Sequence, residues 1–554
     1  MAASGSNTAG RISYRTSRRR LARAEFIHEG TYTTHRIQHA HLETHCSITW
    51  LDEDGRLNVR TSSQTPFLTR TKLCNLLGLS IARVRVFCER VGGGFGGKQE
   101  VFTEDICAFA TLKTGRPVQL EFTREEEFVA CSTRHPAKLR IRAGTTRDGV
   151  LTAIELSYVL NTGAYGNHGS AVLFHSTGEA VALYRCPNKK IDAHSVYTNT
   201  VPSGAFRGYG LSQTIFAVES AMDELAIGIG MAPLDFRRRN VVQPPDPFIG
   251  LHDGPEDLEY GSYGLLQCMD LVEAALASDE GLPAPEGEEW LVGQGAAIAM
   301  IACVPPTEHR SEARLSLLAD GRFHLAIGSP EFGNGSTTVR QQIVATLLHT
   351  ETSRVGFTQA DTDRTAYDTG PFGSAGTVVA GKAVENAALV LRDRILDRAA
   401  KHTGVPRERC ALALDHVVCD GTPVPLAEIA AAGQRAGQPL EVVRKAYGTP
   451  RSVAFNCQGF RIAVNRISGE IAILQSVHAA DAGVVINPVQ LRGQIEGAIG
   501  QGLGSALYEQ MVFDVEGRVV NPAFRNYRIP AMADLPRSTI LFADTVDAFG
   551  PLGA

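Results

Sequence analysis

From Phe26 onward, stretches in which apolar and polar residues alternate are interleaved with stretches in which apolar residues recur every three or four positions. The first pattern turns one face of a strand inward, and the second turns one stripe of a helix inward. SITWLDEDGRLNVRTSS (47–63) therefore predicts a hairpin on a Glu-Asp-Gly turn, TRTKLCNLLGL (69–79) a helix, and VRVFCERV (84–91) a buried strand. LRIRAGTTRDGVLTAIELSYVLNTGAYG (139–166) alternates again about an Asp-Gly turn. The second half repeats the style. It has hairpins at 313–329 and 460–483, an amphipathic helix at 339–349, and an alanine-rich helix at 383–400. Between the halves, QPPDPFIGLHDGPED and then GLPAP concentrate proline and glycine, which predicts a linker-like segment over 241–290. The expected fold is mixed α/β in two lobes, 26–240 and 291–554, with glycine-rich loops at strand ends, where α/β proteins bind ligands.

Composition narrows the classes. At 554 residues the chain exceeds one ordinary core, and 55 glycines are about a tenth of it without any repeat to explain them, so glycine must serve local backbone features. Lys plus Arg number 54 against 59 Asp plus Glu, a net −5 with signs interspersed, which argues against a nucleic-acid surface. The most apolar run, 295–305, is about half a membrane span. The 11 cysteines include no C-x-x-C pair, so reduced, buried thiols are expected rather than a zinc site or an iron–sulfur cluster. Residues 1–25 are rich in Arg and Ser, with no acid before Glu25 and no apolar core after the arginines, and are expected to be a disordered leader. Absent signals and reduced thiols together point to the cytoplasm.

The run VGGGFGGKQ (91–99) follows directly on a strand. Five glycines around Phe95 are more than a turn requires, and they let a flat ligand approach backbone N–H groups with no Cβ in the way. Gly92, Gly94 and Gly97 match G-x-G-x-x-G, but no well-placed acid follows. Gly92, Gly97 and Lys98 nearly match a phosphate loop, yet Gln99 stands where a magnesium-binding hydroxyl is needed.

VGGGFGGK resembles the glycine loop of the molybdenum hydroxylase family, the molybdopterin-binding subunits of xanthine dehydrogenases and aldehyde oxidases. HAHLETHC (39–46), SSQTPF (62–67), GAFRGYG (204–210), ADTD (360–363), GPFGSAGTVVAGKAV (370–384), the run 481–509 and NYRIPAMADLP (526–536) continue the resemblance in family order. It implies a molybdenum–molybdopterin cofactor, plain or as the cytosine dinucleotide, contacted by Gln64, Gly93, Gly94, Phe95, Gly96, Arg207, Asn334, Gly373, Ser374 and Gln501. Asn334 stands where the family usually has glutamine. Gln99, Tyr209 and Phe332 are implied to line the substrate cleft.

The activity implied is hydroxylation of an electron-poor carbon with water-derived oxygen, electrons leaving to an iron–sulfur subunit with an FAD subunit beyond it. Gln99 replaces the carboxylate of purine-oxidising members, and no arginine occurs from Asn161 to Tyr184, so an aldehyde or another N-heteroaromatic is at least as well supported as a purine. VPSGAFRG lacks the cysteine of carbon monoxide dehydrogenases. The family's general-base glutamate follows a segment like AFGPLGA and is expected beyond Ala554; Glu331 and Glu496 belong to other motifs, so no catalytic residue is assigned. An incomplete reading frame, a second chain completing the subunit, and a non-catalytic cofactor-binding or scaffold protein remain the alternatives, with nucleotide binding dependent on Lys98 as a more distant one.

Overall fold

The computed structural model describes residues 9–13, 21, 24–249, 258–278, 280–304 and 309–554. Alternation becomes strand and 3.6-residue periodicity becomes helix where expected. Cys46–Leu51 and Leu57–Thr61 pair antiparallel, with Gly55 at φ 67° in the turn between them. The next strand, Val84–Phe87, lies parallel to Leu57–Thr61 across the helix Pro66–Leu77, and Val118–Glu121 completes this four-stranded sheet. A parallel crossover of this kind leaves the chain after Phe87 at the carboxyl end of a buried strand, which is where the glycine loop begins.

A five-stranded sheet runs in the order Ala9–Ser13, Lys189–Tyr197, Leu151–Gly163, Ala137–Thr145, Phe26–Thr34. Ala9–Ser13 fall within the stretch expected to be a disordered leader and instead pair antiparallel with Lys190–His194. The rest of that leader, at 1–8, 14–20 and 22–23, lies outside the described residues, while Leu21 is buried. The helices Gly169–Ala182 and Leu211–Gly228 cover this sheet.

In the second half, Val355–Gln359, Phe323–Ile327, Arg310–Leu317 and Glu441–Tyr447 form one sheet, packed against the long helix Ala375–Thr403. Trp290–Ala302, Arg451–Asn465, Ile471–Ala480 and Ser538–Phe542 form another. The linker expectation over 241–290 is corrected where it can be described. Leu258–Glu259 pair with Arg451–Ser452, and Leu265–Leu276 is a helix with Cys268, Met269 and Val272 fully buried. Its apolar residues recur at helical spacing and so find a core, which the flanking prolines obscured. Residues 250–257 and 279 lie outside the described residues.

The two halves do not own separate cores. One cluster joins Leu139, Tyr158 and Met222 of the first half to Ile298, Met300, Val453 and Phe455 of the second, while another gathers around the long helix. The shared core fixes the two halves relative to each other, so loops from both can build one site. All 11 cysteines are free, nine of them buried. Among the described residues no helix is long and apolar enough to cross a membrane.

Candidate functional site

The loop 91–99 leaves the strand Val84–Phe87 and is clamped from beneath by HAHLETHC. The Glu43 carboxylate accepts from the Gly92 N–H at 2.8 Å and from the Lys98 ammonium at 2.7 Å. Lys98 is 0% exposed, so its charge is spent inside the protein and a phosphate-loop role is excluded. No helix begins until Glu104, so the loop does not form the strand–turn–helix of a dinucleotide site either.

Deeper in, His45 bridges the Gly97 carbonyl (3.1 Å) and the Glu127 carboxylate (2.8 Å), and His41 also faces Glu127 at 3.2 Å. Burial pushes the Glu127 carboxyl up, but the hydrogen bond and charge of His45, together with His41, outweigh it and hold it down at about 2. The sequence showed HAHLETHC as a motif without a role; spatially it is the foundation of the glycine loop.

Gln64 supplies the loop's inner support. Its Oε1 accepts from the N–H groups of Gly96 (3.1 Å) and Lys98 (3.3 Å), and its own N–H donates to the Lys98 carbonyl at 2.8 Å. A Cβ on Gly94 would lie 2.5 Å from Gln64 Oε1, so only glycine admits this contact. Phe95 holds φ 51° between Gly93 and Gly96, which are also at positive φ; such a conformation costs on the order of 1–3 kcal/mol for a side-chain-bearing residue and is kept only where surroundings impose it. The Phe95 carbonyl accepts the Arg207 N–H at 2.8 Å, joining the loop to GAFRGYG.

Arg207 reaches across to the second half. Its guanidinium donates to the Gln494 carbonyl at 2.8 Å and lies 3.4 Å from Gln501 Oε1, both on the helix Pro488–Leu503. Gln494 in turn donates to the Gly333 carbonyl at 3.2 Å, and a Cβ on Gly335 would lie 2.5 Å from Gln490 Oε1. The loop Glu331–Gly335 is organised by Glu331, whose carboxylate accepts from the N–H groups of Gly333, Gly335 and Thr337 and from the Ser336 hydroxyl. Burial raises this carboxyl, and those donors, at the start of the helix Ser336–Leu347, bring it below its ordinary range. The Glu331 carbonyl also accepts the Val91 N–H at 2.9 Å, closing the circuit back to the first glycine loop. Asn334 stands 4.0 Å from a Cβ built on Gly376, just inside the long helix that Ser374 opens at φ 61° after Gly373 at φ 65°.

The sequence-designated residues thus fall on loops and helix ends, with direct contacts linking 91–99 to Arg207, Arg207 to the helix 488–503 and that helix to 331–335, while Asn334 lies near the start of Ala375–Thr403. The substrate-cleft set is less tightly drawn together. Phe332 packs against Cys88, Val91 and Ala360, the Gln99 carbonyl accepts from Thr65 and Lys72, and the Tyr209 phenol meets His168 Nδ1 at 2.7 Å. Glu496 is paired with Arg492 on the surface. Sequence reasoning missed Gln490, Gln494, Glu100 and His168, which carry no pattern of their own.

Two features fit a flat anionic ligand rich in hydrogen-bonding groups. Among the described residues Arg207 has no carboxylate partner, and burial lowers its basicity. A desolvated guanidinium facing only carbonyls is costly unless an anion joins it. Gln490 Oε1, buried beside Gly335, has no hydrogen-bonding partner.

Family models described as molybdopterin cofactor-binding domains match residues 3–241 and 271–536. The putative xanthine dehydrogenase molybdenum-binding subunit XdhA of Escherichia coli K12 is 32% identical over 539 residues, covering 94% of this chain and 70% of that protein. The chain belongs to the xanthine dehydrogenase molybdenum-binding subunit family. Its domains are molybdopterin-binding domains, and molybdenum–molybdopterin is the cofactor they indicate. The probable hypoxanthine oxidase XdhD of E. coli K12 is 34% identical over 551 residues, 96% of this chain; the chain spans 57% of that relative's length. Quinoline 2-oxidoreductase from Pseudomonas putida 86 shares the family fold with a TM-score of 0.87 at 23% identity, over 99% of this chain and 73% of that one.

Proposed function

We propose that this chain is the cofactor-holding part of a molybdenum hydroxylase that oxidises an aldehyde or N-heteroaromatic substrate and passes electrons to an iron–sulfur partner subunit, with an FAD subunit beyond it. The observation that carries the proposal is Arg207: a desolvated cation without an acidic partner, tied to the Gly93–Gly96 loop of one half and to Gln494 and Gln501 of the other. Backbone N–H groups of the 93–96 and 333–335 loops would bind the pterin edge, side-chain amides of Gln490, Gln501 and Asn334 would pair with its polar atoms, and Arg207 would take its negative charge. Gly373 and Ser374 would present the start of the long helix to the same ligand. When bound, the cofactor supplies two-electron oxidation with oxygen drawn from water.

What the chain contributes is position. Loops anchored at Glu43, Gln64 and Glu331 are pre-formed, so binding costs little ordering entropy. Gln99, Tyr209 and Phe332 would line the substrate approach. The two relatives named above carry hypoxanthine oxidase and xanthine dehydrogenase in their names, which supports an N-heteroaromatic most directly.

The test is metal and pterin analysis of protein produced in a molybdenum-supplied host, alone and together with iron–sulfur and FAD partner subunits. Near-stoichiometric molybdenum is expected, with loss in an Arg207→Ala variant. Wild-type protein lacking molybdenum and pterin under both conditions would overturn the proposal in favour of a scaffold role.

A further inference from the structure

Next to the glycine loop stands a polar group that the cofactor assignment leaves unused. Glu100 directly follows Gln99 and is only 9% exposed. His168 Nε2 lies 2.8 Å from Glu100 Oε1, and His168 Nδ1 lies 2.7 Å from the Tyr209 phenol oxygen. The three come from separate parts of the chain: the end of the loop 91–99, the residue that starts the helix Gly169–Ala182, and GAFRGYG. Tyr209 is held at φ 43° between Gly208 at 92° and Gly210 at 90°, so the backbone is bent to deliver this ring. His168 and His175 both meet the Tyr209 ring edge-on, at 5.7 and 5.4 Å.

Counting protons assigns the roles. The Tyr209 O–H is the proton between its oxygen and His168 Nδ1, while His168 Nε2 stands at ion-pair distance from Glu100 Oε1 without the alignment of a hydrogen bond. Burial, with Glu100 nearby, raises the Tyr209 phenol above its ordinary value and keeps that proton in place. Three acceptors are then left over. Glu100 Oε1 and Oε2 are both buried without a hydrogen-bonding partner, and the Tyr209 oxygen keeps a free lone pair. An unpaired buried carboxylate oxygen is expensive, and a donor such as a ring N–H would satisfy it. His168 remains about a quarter exposed, so the group opens on one side.

We propose that Glu100 and Tyr209 form a recognition subsite for the ring N–H of a heteroaromatic substrate, with His168 as the positioning residue between them. The subsite deepens the hydroxylase proposal and rests on it for the substrate class. It selects among heteroaromatics by a property that shape alone does not read, because an N–H-bearing ring pairs with Glu100 Oε2 while a ring lacking one leaves that oxygen unpaired.

The experiment compares hypoxanthine, which carries ring N–H groups, with quinoline, which has none, on the holoenzyme with its redox partners. Calorimetry measures hypoxanthine affinity in parallel. In Glu100→Gln, kcat/KM for hypoxanthine is expected to fall at least tenfold more than for quinoline, mainly through KM, with affinity weakened at least fivefold. His168→Gln should move both in the same direction by less. Glu100→Asp, which keeps the charge one methylene back, should recover part of the affinity.

Equal losses for the two compounds, unchanged hypoxanthine affinity in Glu100→Gln, or no hypoxanthine binding by wild-type protein would each overturn the subsite. Molybdenum-loaded protein that binds hypoxanthine through Glu100 yet turns over neither compound would overturn the hydroxylase proposal while supporting the subsite.

Discussion

The Arg207 N–H donates to the Phe95 carbonyl at 2.8 Å, and the same arginine's guanidinium donates to the Gln494 carbonyl at 2.8 Å. One residue therefore ties a strained loop of the first half to a helix of the second. The backbone bond needs no particular side chain, whereas the guanidinium contact needs arginine. The two roles can be separated by mutation.

Arg207→Ala should keep the fold and lose the cofactor. The backbone bond to Phe95 survives, while charge-assisted bonds of about 1.5–3 kcal/mol each are removed. Molybdenum content by mass spectrometry should fall at least tenfold, with far-ultraviolet circular dichroism unchanged. Arg207→Lys should recover only part of it, since an ammonium lacks the planar fork.

Gly94→Ala should destabilise the protein through Gln64. The added methyl would stand 2.5 Å from Gln64 Oε1, which must move and release the Gly96 and Lys98 amides. The expected cost is about 1–3 kcal/mol in urea unfolding. Combined with Gln64→Ala, the two losses should be clearly less than additive, because the methyl then has nothing to displace.

Glu331→Gln should loosen the 331–335 loop more than it destabilises the protein. The carboxylate accepts four hydrogen bonds from that loop and the helix that follows it, and an amide cannot accept them all. Hydrogen exchange at Gly333 and Gly335 should accelerate by an order of magnitude or more, and cofactor retention should drop with it.

Acid should destabilise the fold well above the carboxylate range. Burial lowers His39, His309 and His478 to about 4 and His135 to about 3. The unfolded chain binds these protons below about pH 6.5 while the folded chain refuses them until about pH 3–4. Stability is thus fully present above pH 6.5 and lost as pH falls, by up to about 1.4 kcal/mol per pH unit for each histidine. Urea unfolding from pH 7.5 to 4.5 should show a steep decline. A flat profile would show that these rings are charged in the fold.

Much of this protein was written in the order of its residues. Alternation about Asp-Gly turns specified the hairpins 46–61, 137–163 and 310–327, because a period of two admits one buried face. The surplus of glycine in 92–97 announced a close backbone approach before any partner was visible, and the ordered motifs from His39 to Pro536 carried the family. Those signals are local, or are read one after another along the chain.

Tertiary structure decided what no local pattern could hold. Glu43 clamps Lys98 across 55 positions, which turns an apparent phosphate-loop lysine into a structural one. The helix Leu265–Leu276 is part of a core rather than a linker, since burial depends on what packs against it. Arg207 meets Gln494 across 287 positions, and Glu100 meets Tyr209 through His168. Hydrogen bonds and desolvation act over a few ångströms of space, so their partners appear only once the shared core has brought both halves together.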